Sequence, residues 1–345
     1  MSDIACPLPI TDYPNVLLAH GGGGRLMHEM LTRRVLPALG ITDSGQTDAA
    51  LQELGGARLA FTTDGYVVKP LFFPGGDIGR LAVSGTVNDL AMMGAVPHVL
   101  SLSLILEEGL PFETLDRVLA SIRATADAAG VRIVTGDTKV VDRGKADGLF
   151  INTAGIGTVP AGLTLGPAQV REGDAILVSG DLGRHGIAVL AEREGIGFET
   201  VIESDVACLH RLVAKLLEAG IELHCLRDLT RGGLASAAVE IAQAGRLGIT
   251  LEEAAIPVAA PVEAACELLG LDPLHVANEG RMVIFCPQAQ AEAALDCLRA
   301  DPLGAGAALV GRVHRDSPGR VALQTRIGSL RALDMLSGEQ LPRIC

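Results

Sequence analysis

The chain has 345 residues, of which 48% are hydrophobic and 3% aromatic, and 41 acidic against 28 basic side chains give it a net charge of −13. This acidic balance argues against a protein that binds nucleic acid through a basic surface. No apolar run reaches the roughly 18 residues of a membrane span, so we expect neither a nucleic-acid nor a membrane partner.

The first 45 residues predict an N-terminal arm. It contains four consecutive glycines at 21–24, followed by an amphipathic helix with Leu26, Met30 and Leu31 on one face. Unhindered amides before a helix can cradle a phosphate, which makes Gly22 and Gly23 candidate binding residues. A flexible hinge is the alternative, because the loop matches neither G-x-x-x-x-G-K-[ST] nor the dinucleotide fingerprint.

Periodicity and turn residues predict a first α/β unit at 46–160. Strands are expected at 58–68, 98–106, 131–134 and 149–159, and helices at 79–93 and 113–129. After a polar linker, a second α/β unit is expected at 170–326, with strands at 175–178, 281–286 and 307–313 and a helix opened by residues 227–233. From residue 327 the pattern weakens, which predicts a flexible tail at 327–345.

Acidic residues recur at the predicted strand ends and helix turns. Hard oxygen ligands placed there could converge on Mg²⁺ and a phosphate, although Asp is also a common turn and N-cap residue. The candidate residues are Asp64, Asp77, Asn88, Asp89, Asp137 with its neighbours Gly136 and Thr138, and Asp228.

Lys139 and Glu279 are candidate catalytic residues. Lys139 follows the Gly136-Asp137-Thr138 turn, where an ammonium group could stabilise a developing oxyanion. Glu279 precedes a predicted strand and could act as a general base. An ordinary surface lysine and a solvated glutamate are the alternatives.

The seven cysteines are scattered and form no C-x-x-C pair, which is typical of reduced thiols. With no signal-peptide pattern, a cytoplasmic protein is expected. Cys345 differs from the others because it is the last residue of the sequence, where a core thiol is rare. It is either an incidental terminal thiol or a reactive one on a tail that enters a nearby pocket.

Several of these segments together resemble the HypE family, the carbamoyl dehydratases of nickel–iron hydrogenase maturation. Pro342-Arg343-Ile344-Cys345 is the most specific of them. The others are Thr63-Asp64-Gly65, residues 73–79, Val87-Asn88-Asp89-Leu90-Ala91, residues 135–140, residues 227–233 and Asn278-Glu279-Gly280.

The resemblance implies two α/β domains of the aminoimidazole ribonucleotide synthetase-like type, the first forming a dimeric β-barrel with a second copy. It also implies ATP and Mg²⁺ as cofactors, the carbamoyltransferase HypF as a partner, and the HypC–HypD complex as cyanide acceptor. The alternatives are a small-molecule ATP-dependent synthetase or kinase of the same superfamily, and a non-catalytic thiol carrier.

The family resemblance also implies roles for the candidate residues. Cys345 would carry an S-carboxamide that ATP-dependent dehydration converts to S-cyanate, with Lys139 and Glu279 as catalytic residues. Asp64, Asp89, Asp137 and Asp228 would hold Mg²⁺. The ATP site would comprise these four with Asp77, Asn88, Gly136, Thr138, Gly22 and Gly23.

Overall fold

The computed structural model describes residues 15–41, 47–336, 341 and 343–345. Parts of the predicted arm and tail, residues 1–14, 42–46, 337–340 and 342, lie outside the described residues.

The arm packs against the second half of the chain. It contains α1 (Arg25–Met30), a π-helical turn at Leu31–Val35 and α2 (Leu36–Ala38). The backbone N–H of Arg25 donates to the carbonyl of Leu336 at 3.0 Å. Arg231 donates from Nη1 to the carbonyl of Gly21, also at 3.0 Å. These bonds hold the glycine loop beside the second half.

The elements of the first α/β unit are β1 (Ala50–Leu54), β2 (Ala57–Tyr66), β3 (Phe72–Phe73), β4 (Gly76–Asp77), α3 (Ile78–Met92), β5 (Val96–Glu107), α4 (Phe112–Ala129), β6 (Arg132–Val141) and β7 (Leu149–Thr158). The unit is built on a mixed sheet, which in the described residues has five strands in the order β1-β2-β7-β5-β6. Within this sheet β5 and β6 run parallel, and the other neighbouring strands are antiparallel.

One face of this sheet is covered and the other is open. Helix α3 is buried along most of its length because it lies between the sheet and the second half of the chain. On the opposite face, Phe61, Ile105 and Ile156 are exposed, and strand pairing places them on the same side of the sheet. The open face therefore carries exposed apolar side chains.

The second unit has a sheet with helices on both faces, and its described residues contribute seven strands in the order β14-β13-β10-β12-β8-β11-β9. Ile176 and Val178 pack towards α7, whereas Ala175 and Leu177 pack towards α6 and α9. Its elements are β8 (Asp174–Val178), α5 (Arg184–Glu194), α6 (His210–Glu218), β9 (Cys225–Asp228), α7 (Gly233–Gly245), β10 (Gly248–Glu252), α8 (Ala260–Leu269), β11 (Met282–Pro287), α9 (Ala291–Arg299), β12 (Ala308–His314), β13 (Val321–Gln324) and β14 (Leu330–Leu333).

The predicted α/β class is confirmed, but several boundaries differ from expectation. Strand β6 does not stop at residue 134; it continues through the Gly136-Asp137-Thr138-Lys139 segment because pairing with β5 runs on to Val141. The segment from 327 contains β14, which pairs with β13. Among the described helices, none combines the length and apolar character that crossing a bilayer requires.

Candidate active site

Three carboxylates from separate elements meet between the two halves of the chain. Asp48 precedes β1, Asp89 lies near the end of α3 and Asp228 ends β9. One carboxylate oxygen from each lies within 4.8 Å of the other two. Asp89 and Asp228 were predicted as metal ligands from the sequence, whereas Asp48 was not. A set of hard oxygen donors at this spacing suits a divalent cation such as Mg²⁺.

The cluster holds more negative charge than its neighbours offset. Burial raises the pKa of Asp89, and the charges of Asp228 and Asp48 raise it further. Burial also raises the pKa of Asp228 to about 6. Arg227 lies 2.7 Å from Oδ1 of Asp48, but the buried Oδ2 of Asp48 has no hydrogen-bond partner within the described residues. The donor set therefore fits a bound cation, which would relieve the repulsion.

Arg231 connects this cluster to Glu279 and Cys345. Its Nη2 lies 3.5 Å from Oδ1 of Asp64. The pKa of Arg231 is raised, first by negative charge at Cys345 and then by Asp64 and Glu279. The Gly23 backbone closes over this side chain: a Cβ at Gly23 would lie 2.5 Å from Cβ of Arg231. The glycine loop thus lies at the same site.

Glu279 is buried beside these charges. Burial raises its pKa, and the carboxylates of Asp228 and Asp64 raise it further, whereas Arg231 lowers it. Its Oε1 is buried and makes no hydrogen bond to any described residue. A carboxylate with a raised pKa and a free oxygen has the properties of a general base.

The end of the sequence docks against the segment that follows β2. The backbone N–H of Val67 donates to the carbonyl of Cys345 at 2.9 Å, and that of Lys69 donates to the carbonyl of Arg343 at 3.4 Å. Ile344 is 4% exposed and Cys345 is 9% exposed. Both belong to an apolar cluster with Tyr66 and Val68. The structure therefore holds the Cys345 residue in the interior.

Asp77 and Asn88 have structural partners instead of facing the three carboxylates. Oδ1 of Asp77 accepts hydrogen bonds from the backbone N–H groups of Gly79 and Arg80, which caps the N-terminus of α3. Asn88 donates to the carbonyls of Ala207 and Glu279 and accepts from Leu209 N–H, joining the two halves.

The segment from Gly136 to Lys139 lies apart from the cluster in this chain. It belongs to β6, the edge strand of the first sheet, where its side chains are exposed. Nζ of Lys139 lies 2.7 Å from Oδ2 of Asp137. Asp137 and Lys139 pair in register with Ser103 and Ile105, so they lie on the open face of the sheet. One copy thus does not bring them to the carboxylates.

Comparison with known proteins identifies the family. The AIR synthase related protein models match over residues 46–159 for the N-terminal domain and 171–324 for the C-terminal domain. Carbamoyl dehydratase HypE of Rhodobacter capsulatus is 52% identical over 334 residues, covering 96% of this chain and 98% of the relative. That of Escherichia coli (strain K12) is 47% identical over 338 residues, covering 96% and 99%. The chain belongs to the HypE family.

Solved HypE structures share this fold. HypE in complex with ATP is 47% identical, with a TM-score of 0.81 and coverage of 96% of this chain and 100% of that one. HypE in the HypE–HypF complex is 42% identical, with a TM-score of 0.83 and coverage of 89% and 99%. Thiamine monophosphate kinase from Aquifex aeolicus, at 19% identity and a TM-score of 0.66, shares the fold alone.

Three polar residues of this HypE-family site were missed at the sequence level. Asp48 lies in a short polar segment before β1, and its position next to a strand was the only local signal. Arg231 lies within the family segment 227–233, but the sequence alone indicated no role for it. His185, which contacts the end of the sequence, sits in a helix where nothing marks it as special.

Proposed function

We propose that this chain dehydrates an S-carboxamide on its own Cys345 to an S-cyanate at the expense of ATP, supplying the cyanide ligand of a nickel–iron hydrogenase. The docked position of Cys345, inside a HypE-family chain and where its negative charge raises the pKa of Arg231, is the observation that carries the proposal. The relatives' name, carbamoyl dehydratase, supports the reaction class.

The chemistry balances as two steps. The amide oxygen of the S-carboxamide attacks the γ-phosphorus of ATP, ADP leaves, and the nitrogen loses one proton to give an O-phosphorylated imidate. Cleavage of the C–O bond then releases phosphate, which takes the second N–H proton, and leaves the nitrile. Phosphorylation is needed because oxide is a very poor leaving group. A substrate attached to the enzyme makes the encounter intramolecular.

The carboxylate cluster supports binding of ATP with Mg²⁺. Asp48, Asp89 and Asp228 would hold the ion, with Asp64 nearby, and Mg²⁺ would offset the phosphate charge. A cavity of about 280 Å³ adjoins Asp228, lined also by Gly23, Gly24 and Thr230, and offers room beside these ligands. A HypE relative is described in complex with ATP.

Glu279 and Arg231 are the protein groups placed to act on the thiocarboxamide. Glu279 would take the first N–H proton, since its raised pKa makes it a stronger base than an ordinary carboxylate. Arg231 would stabilise negative charge that develops on oxygen. The carboxylates of Asp228 and Asp64 would compete with that oxygen for the positive charge of Arg231. A bound cation would reduce this competition.

We further propose a homodimer in which Asp137 and Lys139 act from the second copy. The exposed apolar side chains of the open face support this arrangement, and so does the edge of β6, which has no second partner strand among the described residues; pairing there would close the first sheet into a barrel. In such a dimer, Lys139 of one copy could act as a catalytic residue in the site of the other. Gly136, Asp137 and Thr138 could contact the nucleotide there, which they cannot do within one copy.

The proposed partners are a carbamoyltransferase of the HypF type and a HypC–HypD complex that accepts cyanide, in the cytoplasm. A solved complex of HypE with HypF supports the first. Asp77, Asn88, Gly22 and Gly23 would contribute to ATP binding by shaping the helices and loop around the site, given the contacts that they make here.

The intact mass of the full-length protein tests the reaction. After incubation with the carbamoylating partner and its substrates, we expect a gain of one carbamoyl group on Cys345; adding ATP and Mg²⁺ should then remove the mass of one water. The Cys345→Ser variant should show neither change. ATP turnover on an unmodified chain would favour a small-molecule synthetase or kinase, and stable carbamoylation without loss of water would favour a thiol carrier.

A further inference from the structure

His185 makes a direct hydrogen bond to the docked end of the sequence. It lies in the first turn of α5 with a fully buried side chain, and its Nε2 is 2.8 Å from the carbonyl oxygen of Ile344, the residue before Cys345. Its ring contacts the Phe73 ring edge-on, with centroids 5.4 Å apart. The histidine therefore joins the end of the sequence to the first half of the chain.

The partners on both sides of the ring determine its tautomer. A carbonyl oxygen can only accept, so Nε2 must carry the proton and donate to Ile344. Nδ1 lies 2.8 Å from Oγ of Ser204, and that oxygen accepts from the N–H of Val206 at 3.1 Å. The Ser204 hydroxyl therefore donates to Nδ1. Burial lowers the pKa of His185, although Asp205 opposes the shift, and this favours the neutral ring.

Ser204 is itself held by the Pro74-Gly75 turn. Its backbone N–H donates to the carbonyl of Pro74 at 2.8 Å. Gly75 has a φ of +86°, and a Cβ there would lie 2.8 Å from both the backbone nitrogen and oxygen of Ser204. The turn can approach Ser204 this closely only because residue 75 is a glycine. Pro74 and Gly75, within the family segment 73–79, thus form the support behind Ser204 and His185.

We propose that His185 is the positioning residue that holds Cys345 in the site, and that Ser204 and the Pro74-Gly75 turn orient it. This rests on the proposed function, because the position matters for dehydration of a group on Cys345. The His185 bond acts on the residue next to Cys345, whereas two other side chains hold Arg343: Arg193 donates from Nη2 to its carbonyl at 2.6 Å, and Asp147 pairs with its guanidinium.

Thiol labelling of Cys345 tests the docking step without ATP or carbamoyl group. The full-length protein is used with its other six cysteines replaced by Ala or Ser. In His185→Leu, which fills space but cannot donate, we expect labelling about tenfold faster, as for loss of one buried hydrogen bond. His185→Gln, which keeps a donor, should restore much of the protection. His224→Leu, at a buried histidine bonded to Asp174, is the control for general destabilisation.

The two steps of the reaction provide a readout that a purely structural role would not change. Carbamoyl loading needs an accessible thiol, so it should be unchanged or faster in His185→Leu. Dehydration of the loaded protein should slow by about tenfold, while the ATP concentration giving half-maximal rate stays the same. In the unsubstituted histidine, ¹⁵N chemical shifts should report a proton on Nε2.

Equal labelling rates in the wild-type background and His185→Leu, or a proton on Nδ1, would overturn the proposal. So would equal effects of His185→Leu and His224→Leu. Failure of the proposed function is a separate outcome, because the protein with intact His185 would then be carbamoylated without losing water. Thiol labelling would still show whether His185 holds the docked end.

Discussion

Asp48, Asp89 and Asp228 show how single residues carry the chemistry of this site at a cost in stability. Burial is the first cause of the raised pKa of all three carboxyl groups; neighbouring carboxylates, among them Asp228, raise the pKa of Asp48 and Asp89 further, and Asp64 does the same for Asp228. Arg227 offsets part of the charge through its contact with Asp48. The residues are arranged for a charged ligand, so the metal-free protein should gain stability when one charge is removed.

The Asp228→Asn variant measures this cost. The pKa of Asp228 is about 6 in the folded protein, above its ordinary value of 3.8. Between these pH values the folded state holds a proton that the unfolded state has lost, so the free energy of unfolding falls as pH rises from about 4 to about 6. With metal chelated at pH 8, Asp228→Asn should unfold at a higher urea concentration, because its free energy of unfolding should rise by about 2 kcal/mol. This free energy should also depend less on pH than that of the parent protein.

Asp116→Asn, at an exposed position of α4, is the matched control and should change neither stability nor its pH dependence. Urea titrations at pH 5 and pH 8 provide the comparison. If both variants keep the pH dependence of the parent protein, Asp228 does not bear the repulsion that we infer.

Thiol reactivity offers a second prediction at this scale. Burial raises the pKa of Cys266 and Cys286 to about 11. At pH 8 only about one in a thousand of these groups is a thiolate, so they should react far more slowly than Cys297, which is half-buried. Mass mapping after timed labelling checks the order, and urea should make all three react alike. Early labelling of Cys286 in the folded protein would contradict it.

At the scale of elements, the turn before α3 illustrates how backbone conformation supports the site. Asp77 caps α3, and Gly75 allows the preceding turn to approach Ser204. The sequence marked Asp77 as an ATP-site candidate, whereas Gly75 lay within the family segment 73–79 without a role of its own. In the folded chain their contacts are with backbone groups of α3 and of the segment before α6.

Gly75→Ala tests the close approach. Gly75 and Gly173 have nearly equal φ values, +86° and +87°, but a Cβ at Gly173 would have no atom within 4 Å. Both substitutions place alanine in the left-handed region and should cost about 1 kcal/mol. Gly75→Ala should lose about 1–3 kcal/mol more, because Ser204 must move. Thermal unfolding compares the pair, and equal losses would mean that the turn yields without strain.

At the scale of the whole molecule, the open face of the first sheet carries apolar side chains that one copy leaves exposed. Phe61, Ile105 and Ile156 are 46%, 37% and 38% exposed on one side of the first sheet. In the part of the chain that the structure describes, β6 is the edge strand of this sheet, next to the strand that carries Ile105. Exposed apolar side chains on a sheet that ends in an edge strand are typical of an interface, in agreement with the proposed homodimer.

Ile105→Lys should weaken this dimer. A buried lysine at an interface lacks a partner, so the dissociation constant should rise by at least about tenfold. Leu119→Lys, at an equally exposed residue of α4 (37% for both side chains), should leave association unchanged. Sedimentation velocity at micromolar concentration distinguishes the two. A parent protein that sediments as a monomer would remove the dimer proposal altogether.

Local patterns in the sequence determined much of the secondary structure. The apolar periodicity at 113–129 predicted α4 almost to the residue, because this helix follows the 3.6-residue repeat and ends at Gly130. The turn before residue 79 predicted the start of α3 to within one residue. Family motifs also placed Asp89, Asp228, Glu279 and Cys345 among the candidate residues before any geometry was known.

Only the tertiary structure decided which candidates meet. Asp48 joined the cluster because the chain before β1 reaches the ends of α3 and β9, a contact between distant segments that no local pattern encodes. Gly136-Asp137-Thr138-Lys139 became strand because hydrogen bonding to β5 outweighs the turn preference of Gly and Asp. His185 acquired its partner, the carbonyl of Ile344, across 159 positions of sequence, because helix α5 packs beside the docked end.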